Sequence, residues 1–134
     1  MGLGSCINTR QVVAYVARHL WSAESDRLAV YSLSAGYKQL DDLHIAGLRG
    51  ATDLAADNDA LYIADWGSDI VWRIVADSEQ KTAEKWIQLK DVWKLSVTPA
   101  GQLVTKSGRS VSVSVYSRAG VLESRVDLPD TLRN

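Results

Sequence analysis

LYIADWGSDIVWRI, residues 61–74, sets two apolar, β-rich runs on either side of the tetrad Asp65-Trp66-Gly67-Ser68. Val, Ile, Tyr and Trp suit a pleated, half-buried strand, and a cluster of Asp, Gly and Ser suits the turn between two strands. The tetrad decides the fold, because Asp65 is either a reactive carboxylate or a corner. As a corner, it accepts backbone N–H groups two residues on, as in an Asx turn, and Gly67 supplies the small residue that such a turn needs. As a catalyst or metal ligand it needs a second converging group, and the sequence identifies none.

Working outward, the strand after the tetrad has counterparts elsewhere. Leu28-Ala29-Val30-Tyr31, Ile70-Val71-Trp72-Arg73 and Val113-Ser114-Val115-Tyr116 match one another, with starts separated by 42 and then 43 residues. Ile45, Ile87 and Val126 begin a second family, spaced by 42 and then 39, and Asp53-Leu54-Ala55-Ala56 matches Lys94-Leu95-Ser96-Val97 at a separation of 41. Within one period the residues predict four strands, at 51–56, 61–65, 70–75 and 84–89, with turn formers such as Asp57-Asn58-Asp59 between them.

Four short antiparallel strands every 40 to 45 residues form the pattern of a β-propeller blade. The expectation is an all-β single unit over 1–134, with blades at approximately 1–48, 49–90 and 91–129. In the first blade, 11–17 is expected to be the second strand, ahead of a longer loop. Val12, Val16, His19 and Leu20 also fall at helical spacing, so a helical turn within 17–26 stays open. About three blades make an open arc, whereas rings close with about four to eight. The arc is thus expected to be a piece of a longer propeller or one half of a six-bladed ring completed by a homodimer.

LYIADWGSDIVWRI, KLSVTPAGQLVT at 94–105 and VSVYSRAGVLESRVDLP at 113–129 resemble NHL-repeat proteins and the related six-bladed propellers. The resemblance covers roughly 11–129. It puts Asp65 at the family's corner aspartate, Gly67 at its small turn residue and Arg73 at a basic position of the outgoing strand. The third blade departs from the pattern, with Thr105-Lys106-Ser107-Gly108 in place of the Ala-Asp corner. The resemblance implies a binding platform for RNA or protein, as in the C-terminal domains of tripartite-motif ubiquitin ligases, or a propeller enzyme.

Composition narrows the choice. Hydrophobic residues at 46% and charged residues at 23% fit a globular chain and exclude a disordered one. The formal net charge of −1 leaves no global attraction to phosphate, so nucleic-acid binding requires a local patch. One cysteine, Cys6, excludes an intrachain disulfide and a multi-thiolate zinc site, and it favours a reducing, cytoplasmic setting. The N-terminal residues show no secretory leader and no apolar run of membrane-spanning length, so no membrane partner is expected.

The candidate site residues follow. Asp53 begins an innermost strand, where lactonase-like propellers place metal ligands, but its counterpart Lys94 breaks any ring of oxygens; no metal or cofactor is expected. His19 and His44 lie 25 residues apart with no nucleophile context, so no catalytic residue is assigned. In a chain with no Phe, Trp72 and Trp86 are expected in the core, and Trp21 falls in the first loop. Trp66, on a corner, either wedges between blades or stands on a rim as a binding anchor. Trp93 beside Lys90 and Lys94, with Arg49 at the matching place one blade earlier, forms a candidate cationic and aromatic face.

The functional expectation is a noncatalytic NHL-like module for a protein or RNA partner. The alternatives are a fragment of a lactonase- or lyase-type propeller enzyme with a channel metal, and an arc whose role is assembly.

Overall fold

The computed structural model describes residues 13–17, 26–32, 38–57, 59–75, 82–108 and 111–129. Cys6, His19 and Trp21, and nearly all of the stretch expected to hold a helical turn, lie outside them.

The described residues form twelve β-strands and no helix. Sheet 2 runs in chain order through β5 (Ala51–Ala56), β6 (Ala60–Asp65), β7 (Ile70–Val75) and β8 (Glu84–Gln88). Sheet 3 does the same through β9 (Val92–Val97), β10 (Leu103–Ser107), β11 (Ser112–Tyr116) and β12 (Leu122–Asp127). Every pairing is antiparallel, as short turns between consecutive strands require. These strands begin and end within a residue of the expected runs in sheet 2.

Sheet 1 is built differently. β1 (Val13–Ala17) pairs with β2 (Arg27–Ser32), as expected for a second and third strand. The other side of β2 carries two short pieces, β3 (Lys38–Gln39) against Tyr31 and Ser32 and β4 (Leu43–His44) against Arg27 and Leu28. The outer strand is therefore broken at Leu40-Asp41-Asp42, where two adjacent carboxylates are poor strand formers. Among the described residues no strand pairs with the other side of β1, so sheet 1 has no described counterpart of β5 and β9.

The sheets pack face to face with sheet 2 in the middle. Along β6 the side chains alternate, and both sets are buried. Leu61 and Ile63, with Trp72 and Ile74 of β7, meet Leu28, Ile45 and Leu48 from the sheet 1 side. Ala60, Tyr62 and Ala64, with Val71 and Ile87, meet Val92, Leu95, Leu103 and Tyr116 of sheet 3. The opposite extreme is β12, exposed at every residue.

The structure corrects one alignment. The sequence match put Val71 level with Ser114, yet Val71 faces away from sheet 1 and Ser114 shares the face of Tyr116, which looks back toward it. The corners bring Val71 level with Val113 instead, 42 residues on, and Leu28 level with Val71. A one-residue slip exchanges the faces of a strand, and only the shifted register keeps each side chain pointing the same way along the stack.

Sheets 2 and 3 are also joined by polar contacts at their first strands, β5 and β9. Asp53 Oδ2 accepts from Leu95 N at 2.8 Å, and Thr52 Oγ1 donates to Trp93 O at 2.9 Å. At the far ends of those strands Arg118 pairs with Asp59. No sheet closes on itself among the described residues.

Candidate functional site

Asp65 ends β6 with no exposure at all. Its Oδ1 accepts from Gly50 N at 2.8 Å and Gly67 N at 3.1 Å, and its Oδ2 from Arg49 N at 3.1 Å, Ser68 Oγ at 2.5 Å and Trp72 Nε1 at 3.0 Å. Five donors occupy the carboxylate, so it has no lone pair directed at a substrate. Gly67 is dictated by the same packing: a Cβ there would lie 2.7 Å from the Arg49 Cβ. Asp65 is the corner, and it ties the residues leading into β5 to the β6–β7 turn. Trp66 N completes the tie by donating to Gly50 O at 3.0 Å.

Held this way, Trp66 projects toward sheet 3. It is half-buried and meets Trp93 edge to face, with centroids 6.3 Å apart and planes at 86°. Trp66 thus spans the seam between sheets 2 and 3, while its partner Trp93 remains 37% exposed. Offset and edge-on aromatic pairs are the favoured geometries.

Arg49 is exposed beside the Trp66 corner, and exposed Lys94 follows Trp93 directly. Lys90 is exposed at the same end, where its carbonyl accepts from Ser107 Oγ at 2.9 Å. Gly108 closes the far side, with its Cβ direction 3.9 Å from the Trp93 Cβ. Arg49, Trp66, Lys90 and Trp93 thus lie at one end of sheets 2 and 3, whereas Lys94 points to the face of sheet 3 away from sheet 2. Lys106 stands directly across from Lys94 on β10. That pairing is not legible in the residues alone, because it depends on the bulge between Lys106 and Ser107.

Among the described residues no ion pair involves any of these four cations. Two of the nearby carboxylates are turned to the backbone instead. Asp69 accepts from Asp91 N at 2.9 Å, and Asp53 accepts from Leu54 N at 3.0 Å as well as from Leu95 N. Asp53 is thus a joint between strands. Among the described residues no group of three or more His, Cys, Asp or Glu could hold a metal ion.

The remaining candidates lie elsewhere. His44 is exposed on β4 and meets Asp26 at 2.7 Å. Trp72 is buried in the core with Lys85 Nζ 5.9 Å from its ring centroid, as expected for that residue. Trp86 is half-buried between Tyr62, at 4.9 Å, and the Arg73 guanidinium, at 5.3 Å. Arg73 itself pairs with Glu84 at 2.6 Å. Burial of Tyr62, reinforced by Asp57, raises its pKa above the ordinary 10.0. A cleft on sheet 1, lined by Val30, Lys38, Leu40, Asp41, Asp42 and Leu43 among others, includes none of the singled-out residues.

No family model matches the chain, and no curated protein matches it. No helix among the described residues is long and apolar enough to cross a membrane.

Proposed function

We propose that the chain is an arc of a β-propeller of NHL type, a noncatalytic module that binds single-stranded RNA at the end where Trp66 and Trp93 meet. The carrying observation is the half-exposed Trp93 held edge-on to Trp66, with Arg49 and Lys90 exposed at the same end and free of ion pairs among the described residues. An indole face offers a stacking surface to any base, and unpaired cations attract the phosphates on either side. A net charge of −1 fits a short binding site. A cytoplasmic setting suits the reading, since a single cysteine leaves no intrachain disulfide to be made.

Titration with a short oligouridine, followed by tryptophan fluorescence, tests the proposal. Binding is expected to quench the signal and to weaken as salt rises. Trp93→Ala is expected to weaken it by about 1–3 kcal/mol, the usual worth of one base stack. Because Trp93 is exposed, the variant keeps its fold, which its thermal transition verifies. Unchanged affinity in Trp93→Ala sinks the reading, as does binding of an acidic peptide with no binding of RNA.

A further inference from the structure

Sheets 2 and 3 each carry a β-bulge on their first strand, at the same place in the repeat. In β5 the extra residue is Thr52, between Ala51, paired with Asp65, and Asp53, paired with Ala64. In β9 it is Trp93, between Val92, paired with Ser107, and Lys94, paired with Lys106. A bulge takes its residue out of the alternation of faces and re-aims the side chain, a device common beside functional sites. Here it sets Trp93 at the end of the seam, 37% exposed. Thr52, its counterpart 41 residues earlier, fixes the bulged backbone by donating its hydroxyl to Trp93 O at 2.9 Å. With Trp66 edge-on to the ring, the indole is held in place before any ligand arrives.

The same register sets the size of the site. Ser107 is level with Asp65, so Lys90 is level with Arg49 and Gly108 with Trp66. The backbone agrees, since Gly108 N donates to Asp91 O as Trp66 N donates to Gly50 O. Among the described residues each sheet thus presents one exposed cation just ahead of its first strand, Arg49 on sheet 2 and Lys90 on sheet 3. The two stand on either side of the seam that the indoles bridge. Where sheet 2 has Trp66, sheet 3 has only Gly108, so the aromatic pair is not repeated along this end. One exposed indole face stacks one base, and two cations attract two phosphates.

We propose that this end holds a single unpaired base on Trp93, with one flanking phosphate at Arg49 and the other at Lys90. The ligand recognised is then one nucleoside 3′,5′-bisphosphate unit of a single strand. The inference rests on the RNA reading above and adds to it the extent of the site.

Fluorescence titration of the full chain with uridine 3′,5′-bisphosphate, uridine 3′-phosphate and uridine oligomers of three to twelve nucleotides tests it. The bisphosphate is expected to bind, and the monophosphate to bind roughly tenfold more weakly, the worth of one charged hydrogen bond. Affinity divided by the number of registers that an oligomer offers is expected to stay level from the trinucleotide on. The logarithm of the trinucleotide affinity is expected to fall with that of salt at a slope of about −1.4, which is 0.7 for each of two phosphates. Arg49→Gln and Lys90→Gln are each expected to bring that slope to about −0.7. Both side chains are exposed, so thermal transitions at the unaltered temperature verify the fold of the variants. Affinity per register that climbs with length overturns the one-base site, as does a slope steeper than about −3. An equal affinity for bisphosphate and monophosphate, or an unaltered slope in both variants, overturns it too. In each of these cases the RNA reading stands if Trp93→Ala still weakens oligomer binding. Absence of binding to every oligomer overturns both.

Discussion

The corner of sheet 2 and the corner of sheet 3 occupy the same place in the repeat and are held by different means. At the first, the Asp65 carboxylate collects five donors, one of them the indole N–H of Trp72. At the second, Ser107 stands where Asp65 stood and Ser114 where Trp72 stood, and the turn is held by Gly108 N donating to Asp91 O and Ser107 Oγ to Lys90 O. The two positions change together. A buried indole N–H left without an acceptor is costly, so the tryptophan obliges the aspartate, and a serine obliges nothing. The aspartate is therefore a consequence of what the core of sheet 2 contains.

The largest expected effect breaks the first corner. Asp65→Ala leaves the Trp72 indole and several backbone N–H groups buried without acceptors and is expected to cost roughly 3–5 kcal/mol, read from the urea midpoint. A similar loss from Ser107→Ala would erase the contrast, since that hydroxyl makes one exposed hydrogen bond. Next comes Gly67→Ala, whose methyl must displace the Arg49 side chain or the chain at Gly50, for a loss of about 1–3 kcal/mol by the same measurement. A neutral result there means that the corner yields without opening the Asp65 network.

The smallest effect concerns the faces. Tyr62 lies under sheet 3 and its phenol titrates above 10.0, chiefly because burial penalises the phenolate. The unfolded chain releases that proton first, so the contribution is complete below pH 10.0 and fades as pH rises through the folded-state value. Tyr62→Phe is expected to flatten the alkaline decline in stability. An identical decline in the variant shows that other groups cause it.

Much of this was legible in the residues. The runs Ala60–Asp65 and Ile70–Val75 are rich in β-formers and bounded by Asp, Asn and Gly, so local preference and tertiary structure agree. The corner role of Asp65 was readable from Gly67 two residues on. The indole partner was not, because Trp72 reaches it only once β6 and β7 pair. The split of the outer strand in sheet 1 was hidden for a similar reason. A two-residue strand carries no periodicity, and β3 and β4 exist because β2 offers them an edge. The one-residue error at Val113 arose from matching residue types, Val to Ile, where the faces of the strand were what repeated. Trp93 and Lys94 lie within β9, where the alternation of faces separates them, and the pairing of Lys94 with Lys106 needed the β9–β10 register.

Among the described residues no strand pairs with the outer side of β12, and apolar side chains stand exposed at Val121, Leu122 and Val126. Such an edge invites another strand to add to it. Glu123, Arg125 and Asp127 put a charge of alternating sign at every second residue, and the slip in pairing between Val115 and Tyr116 bends the strand out of line. A strand approaching from solvent would have to match that sequence of charges and that bend at once. The last strand can thus be fully exposed and still resist aggregation, because its unpaired edge is the wrong shape and the wrong charge to serve as a template.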